Sequence, residues 1–308
     1  MNVLESVRSG ATSVWSTLTF LRKHPLASRH LPATLGRWIG WQVHQRLVPG
    51  EVVVPFGGRA KLIVYPGSHA ATGNLYVGLH EFEEMGLLLH LLRPGDLFVD
   101  VGANIGAYTV LASAVCGATT IAVEPVPETF ARLLENLRVN DVLDRVTPEN
   151  IGLSSSEGVL VFTTGLDAAN HALLPGESFG GATIEVKVKT LDALCIPRVP
   201  ELVKIDVEGL EVELLKGAPA TLASPALLAV ILELGSSTTP EGRADKLCYD
   251  RMEAIGFLPY WYDPFARKLT PTHRGGSPSG NAIFIRDLAA VEARLRAAPV
   301  REIVGVPV

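Results

Sequence analysis

Apolar positions in the first fifty residues recur at alternating steps of three and four. Leu4, Val7, Ala11, Val14, Leu18 and Leu21 fall on one side of a helix that must end before Pro25. Leu35, Trp38, Ile39, Val43 and Leu47 mark one side of a second helix, stopped by Pro49-Gly50. Residues 52–54 and 60–65 then read as strands around Phe56-Gly57-Gly58, which predicts a hairpin. Residues 83–92 return to a helical pattern, halted by Arg93-Pro94-Gly95.

Beyond that turn the pattern becomes a regular alternation of strands and helices. Short apolar runs at 97–101, 120–123, 202–205 and 227–232 have the character of strands covered on both faces. Helices are predicted over 105–115, from Pro127 onward with Phe130, Leu133, Leu134 and Leu137 buried, and over 210–216 up to Gly217. Residues 159–162 and 184–188 look like strands around a polar, glycine-rich excursion at 165–181. Residues 257–262 and 282–286 are expected as late strands forming an antiparallel edge pair. The fold class that follows is α/β: a Rossmann-like doubly wound sheet, mostly parallel with an antiparallel edge strand, plus N-terminal helices and a hairpin. The organisation expected is an N-terminal helical segment and hairpin over 1–78, a main domain over 79–290, and a helix end and tail over 291–308. The apolar tail Ile303-Val304-Gly305-Val306-Pro307-Val308 leaves a homo-oligomer open, as an interface arm.

Composition narrows the picture in three places. With 308 residues, 47% of them hydrophobic and 19% charged, the chain has enough apolar mass for one sizeable folded domain. A formal net charge of -5 speaks against a general nucleic-acid binder. Yet the first fifty residues hold six Lys/Arg against the single acid Glu5, together with Trp15, Trp38 and Trp41. A basic, tryptophan-bearing pair of amphipathic helices suits either packing on the main domain or a membrane surface or partner. Three widely spaced cysteines, Cys116, Cys195 and Cys248, fit neither a disulfide scaffold nor a zinc site, and no apolar run reaches transmembrane length. The expected location is cytoplasmic.

Candidate chemistry sits at the ends of the apolar strands. Asp100-Val101-Gly102-Ala103-Asn104-Ile105-Gly106 joins a strand to a helix. Its glycines permit a tight turn and close ligand approach, and the helix behind offers N–H groups to an anion. Asp100 is placed to face a cationic or hydrogen-donating group. Asn104 and Ala107 stand where a dinucleotide fingerprint needs glycine, so a pyrophosphate cofactor and hydride chemistry form the weaker alternative. S-adenosyl-L-methionine carries both an ammonium and a carboxylate and fits better. Glu124 ends the next strand 22 residues after Gly102, where an acid accepts hydrogen bonds from ribose hydroxyls; a helix-dipole role ahead of Pro127 is the plainer alternative. In Lys204-Ile205-Asp206-Val207-Glu208-Gly209, Asp206 is the candidate general base or orienting group. With Glu208 it leaves a divalent metal open, and helix capping is the structural alternative.

These motifs together resemble the FkbM family of methyltransferases. The resemblance rests on Pro94-Gly95-Asp96, Asp100 to Gly106, Glu124-Pro125, Asn150-Ile151-Gly152-Leu153-Ser154, Thr190-Leu191-Asp192, Lys204 to Glu211, and Glu233. It runs from about Leu79 to Arg286. It implies a class I methyltransferase sheet and methyl transfer from S-adenosyl-L-methionine to a hydroxyl of a sugar, glycan or secondary metabolite. It also implies that Asn150 sits at the adenine and Glu81 near the methyl-transfer site. His80 departs from the family, where tyrosine commonly precedes that glutamate, and is a candidate base. Asp206 and Glu233 are expected on the substrate side. Asp167, Asn170 and His171 in the glycine-rich excursion are candidates for acceptor recognition.

Overall fold

The computed structural model describes residues 14–48, 50–165, 170–173, 177–234, 243–273 and 280–308. Leu4, Val7 and Ala11 of the first apolar stripe, Pro49, and Asp167 lie outside the described residues. Helices over residues 14–23, Pro25–Arg29 and Leu31–Leu47 precede a hairpin of β1 (Val52–Pro55) and β2 (Lys61–Val64), with Val52 opposite Val64. Helices His69–Val77 and Phe82–Leu91 lead to β3 (Leu97–Val101). A short helix, Ala107–Val110, widens into a π-helical turn over Leu111–Val115, where the sequence predicts one continuous α-helix. There follow β4 (Thr119–Val123), the helix Pro127–Val139, β5 (Val146–Glu149), β6 (Gly152–Leu153), β7 (Gly158–Thr163) and β8 (Thr183–Lys189). The remaining strands are β9 (Leu202–Ile205), β10 (Ala229–Glu233), β11 (Leu258–Asp263), β12 (Lys268–Pro271), β13 (Asn281–Ile285), β14 (Glu302–Ile303) and β15 (Val306–Pro307).

Eight strands form the central sheet in the order β12-β11-β13-β10-β9-β3-β4-β5. The run β10-β9-β3-β4-β5 is parallel, while β13 pairs antiparallel with both β10 and β11. The expected α/β fold is therefore present, with two corrections at its margin. The strand read at 282–286 is interior, inserted between β10 and β11, and β12 forms the edge. β5 escaped prediction because Val146-Thr147-Pro148-Glu149 carries a proline and polar residues, as an edge strand tolerates. Strands β7 and β8 stand apart from this sheet, in a three-stranded unit with β6.

Side chains alternate across the sheet, and that alternation sorts the core into two layers. Val99, Val101, Val203, Ile205, Val230 and Leu232 pack on one side with the helices Glu211–Lys216 and Arg243–Ala254. Phe98, Leu202, Ala229, Ile231 and Ile283 pack on the other, against the helices Phe82–Leu91, Ala107–Val110 and Leu288–Arg296. By the same period of two, Asp100, Lys204, Glu233 and Asn281 point to this second layer. The polar exceptions in four apolar strands thus share one face.

The helix Leu31–Leu47 corrects the expected stripe. Its fully buried residues are Thr34 and Trp41, whereas Ile39, Val43 and Leu47 face outward. The C-terminal residues Ile303, Val306 and Val308 are buried in the main core instead of projecting as an arm. The hairpin is tied down by Asn136, which has no exposed surface: its Oδ1 accepts from Ile63 N at 2.7 Å and its Nδ2 donates to Ile105 O at 2.9 Å. Asn136→Leu keeps the volume but strands a buried N–H and a buried carbonyl. The expected loss is about 2–4 kcal/mol in urea unfolding; a loss within error of zero would show that the hairpin is held by other contacts.

Candidate active site

At the carboxyl ends of the parallel strands lies a cavity of about 290 Å³. Ligands bind at this edge in open α/β sheets. Its floor is a charge cluster built by strand register. Asp100 on β3 pairs with Lys204 on β9, and Lys204 in turn with Ile231 on β10, two residues before Glu233. The Lys204 ammonium is buried, 2.6 Å from Asp206 Oδ2 and 4.9 Å above the Tyr108 ring. Burial alone would lower its pKa, but Asp206, Glu81 and Asp100 hold it above the usual lysine value.

Those acids answer differently. For Asp206, burial favours the neutral form, but the Lys204 ammonium and hydrogen bonds from Glu233 and Lys204 hold the carboxyl below its usual range. Glu233 is pushed up to about 10 by burial, by its hydrogen bond to Asp206 and by that residue's charge. The opposite directions of the two shifts favour one shared proton between the side chains, with Glu233 the preferred holder. Glu208 is raised by burial and by the Asp206 charge. Its φ of 48° places a non-glycine residue in the left-handed region, a strain of the kind that collects at functional sites. Asp100 is raised by burial, against the pull of Lys204 and Thr109. Its Oδ2 accepts from Thr109 Oγ1 at 2.6 Å, and its buried Oδ1 has no partner.

The glycine-bearing turn is shaped by the protein more than by an approaching ligand. Gly102 has φ 75°, and a Cβ there would overlap the Asp206 carbonyl oxygen. At Gly106, φ 88°, a Cβ would overlap Leu133 of the helix Pro127–Val139. The N–H groups expected to greet an anion are largely spent: Gly102 and Ala103 donate to Val123 O, Asn104 to Glu124 Oε2, Ile105 to Asn104 Oδ1 and Gly106 to Ala103 O. Glu124 also accepts from Val126 N through Oε1, at 3.0 Å. Burial nevertheless pushes its pKa up to about 7, against those two bonds.

Most sequence-predicted residues meet here. His80, Glu81, Asp100, Gly102, Asn104, Glu124, Pro125, Asn170, Asp206, Glu208 and Glu233 all line the cavity. Gly106, Asn150 and His171 do not. Asn150 stands behind the Glu124-Pro125 turn, donating to both backbone carbonyls at 2.8 and 3.1 Å, and His171 pairs with Glu177 at 3.1 Å. His80 packs against the Phe20 ring at 5.4 Å and is lowered by burial, against the opposing charge of Glu81. Its backbone N–H donates to Asn74 Oδ1 at 2.9 Å.

Sequence reasoning missed Lys204 and Tyr108, which line the cavity, and Asn281, which holds the lining residue Glu81 from behind. Lys204 had a signal, since lysine in an otherwise apolar buried strand needs a partner. Tyr108 had none beyond its place one turn after the glycines. Asn281 had none at all; opposite Glu233 in the antiparallel register, it donates to Glu81 Oε1 at 2.5 Å. Donor atoms of Asp206, Glu208 and Glu233 lie within 4.8 Å of one another, a spacing open to a cation, although Lys204 already neutralises Asp206.

A family model described as Methyltransferase FkbM domain matches residues 100–259, the span from Asp100 through Glu233 to β11. Hexuronic acid methyltransferase AglP of Haloferax volcanii is 36% identical over 163 residues, covering 52% of this chain and 65% of that protein. Methyltransferase sdnD of Sordaria araneosa is 33% identical over 159 residues, covering 41% and 61%. The chain thus spans less than two thirds of either curated relative. Among solved structures, M. jannaschii TYW2 in complex with AdoMet aligns at 14% identity and TM-score 0.40, over 77% of this chain and 87% of that one. Precorrin-6y C5,15-methyltransferase of Geobacter metallireducens GS-15 aligns at 13% and 0.37, over 67% and 86%.

The contact of Gly102 with the Asp206 carbonyl makes a definite demand. Gly102→Ala combines a left-handed φ with steric overlap, so a loss of at least about 2 kcal/mol is expected in chemical denaturation. A variant as stable as the wild type would mean that the two turns can separate freely.

Proposed function

The chain belongs to the FkbM methyltransferase family, and from that membership and the cavity we propose that it is an S-adenosyl-L-methionine-dependent O-methyltransferase. The acceptor class is a hydroxyl on a sugar, glycan or secondary metabolite. The observation that carries this reading is the gathering of Asp100, Glu124, Asp206, Glu208 and Glu233 around one cavity at the sheet's carboxyl edge. The unpartnered Asp100 Oδ1 and the Glu124 carboxylate fit the two polar ends of the cofactor, its ammonium and its ribose hydroxyls. When bound, that cofactor supplies an electrophilic methyl group on a sulfonium centre. The nicotinamide alternative gains no support, since both curated relatives are methyltransferases.

The protein's own part is positioning and proton acceptance. Ionised Asp206, fixed by Lys204, accepts a hydrogen bond from the acceptor hydroxyl and orients its oxygen. Protonated Glu233 donates to Asp206 and holds it in place. The proton released as the ether bond forms passes along the acceptor's hydrogen bond to Asp206 and from there to Glu208, whose donor oxygen lies within 4.8 Å and whose proton affinity is raised by burial and by the Asp206 charge. Acids dominate this wall among the described residues, and Lys204 is already engaged by Asp206, so an uncharged hydroxyl-bearing acceptor fits better than an anionic sugar acid. Asn170 contributes to acceptor recognition, and His80 and Glu81 line the same cavity. The catalytic unit is residues 79–290, with 1–78 an appendage to it. A resident metal is not required for this assignment of roles.

Calorimetric titration tests the cofactor: S-adenosylhomocysteine is expected to bind and NAD to leave no heat, and the reverse outcome overturns the reading. The Glu124 pKa of about 7 sharpens the test. Ribose hydroxyls donate to the ionised carboxylate, so binding prefers the deprotonated form. Affinity for S-adenosylhomocysteine is therefore expected to rise by up to about tenfold per pH unit below 7, to level off above it, and to lose this slope in Glu124→Gln. A wild-type affinity that is flat between pH 5.5 and about 8 removes Glu124 from the ribose.

A further inference from the structure

The helix Leu31–Leu47 turns a bare apolar side to solvent. Thr34 and Trp41 face the body of the protein, and Ala33, Gly36, Ile39, Gly40, Val43 and Leu47 occupy the opposite side at helical spacing. Ile39 is 54% exposed, Leu47 74%, and Val48 just beyond it 61%. Trp15, on the first described helix, is 71% exposed. A Cβ at Gly36 or Gly40 would touch nothing within 4 Å, so neither glycine is needed by the fold's own packing.

Charge on this segment has one sign. From Val14 to Gly50 there is no carboxylate side chain, while Arg22, Lys23, Arg29 and Arg46 are exposed, in a chain whose net charge is -5. Arg46 borders the apolar side directly. A second copy docking the same face across a two-fold axis would set these cations against each other with no acid to pair them. Exposed aliphatic and tryptophan side chains edged by Lys/Arg, on helices that lie along the surface, match an anionic lipid interface. No described helix is long and apolar enough to cross a membrane, so the contact would be peripheral.

We infer that the outward face of Leu31–Leu47, with the adjoining N-terminal helix, docks on an anionic lipid surface. Apolar side chains enter the headgroup boundary and the flanking arginines and lysine meet the lipid phosphates. This inference is independent of the methyltransferase reading, because none of these side chains lines the cavity.

Sedimentation of the full chain with vesicles tests it. Vesicles of phosphatidylcholine with about 30 mol % phosphatidylglycerol are expected to carry the protein down at low salt, at least about tenfold more strongly than phosphatidylcholine alone, and to release it as salt rises. Ile39→Glu/Leu47→Glu is expected to lose vesicle binding while keeping the wild-type thermal midpoint and S-adenosylhomocysteine affinity. No sedimentation with the anionic vesicles overturns the proposal, as does equal binding to the neutral ones. Unchanged binding by the double variant removes this face from the contact. A concentration-dependent dimer dispersed by the same variant, without vesicle binding, assigns the face to a second copy instead.

Discussion

The ammonium of Lys204 is the charge around which the site is arranged. Moving it from water into the sheet carries a penalty of several kcal/mol, which is met here by Asp206 at 2.6 Å, with Asp100 and Glu81 adding to the attraction. The dependence runs both ways. Acids at the ends of β3, β9 and β10 share one small cavity, and without a buried cation their mutual repulsion would keep more of them protonated. Lys204 allows Asp206 to ionise, and the ionised Asp206 in turn keeps a proton on Glu233. One residue on the central strand thereby sorts neighbouring carboxyls into an anion and a neutral acid. Among the described residues, carboxyls still outnumber the Lys204 cation at the cavity, which favours a cationic ligand beside it.

What could be read in advance follows from how each element is buried. β3, β4, β9 and β10 are covered on both faces and appear as apolar runs, so their termini, and the acids there, were legible. β5 and β12 are margins of the sheet with mixed composition, and nothing in their residues distinguishes them from loops. The place of β13 was not legible either, because strand order is settled by crossover connections and not by local pattern. Periodicity found the helix Leu31–Leu47 but could not say which side would be covered. Thr34 went in and Leu47 stayed out.

The same division holds within the site. Asp100, Glu124, Asp206 and Glu233 are acids at strand ends, and Glu208 lies in the turn after β9, so their positions are exposed by the alternation of apolar strands and turns. Asn281 reaches Glu81 across 200 positions of sequence, through an antiparallel insertion that no local signal announces. The glycines were found for a reason that the structure revises. Gly102 and Gly106 make room for Asp206 and Leu133, and most N–H groups around them are already taken within the chain.

The abutment of Gly102 on the Asp206 carbonyl has a consequence for redesign. The turn that follows β3 and the turn that follows β9 behave as a single rigid piece, because no methyl group separates them. With the cofactor and acceptor held as proposed, libraries that vary residues near this contact would disturb the grip on both together, and gains in acceptor range there would come with losses in cofactor retention. Breadth is more accessible to mutation at a distance from it, along the segment bearing Asn170, which lines the cavity without belonging to either turn.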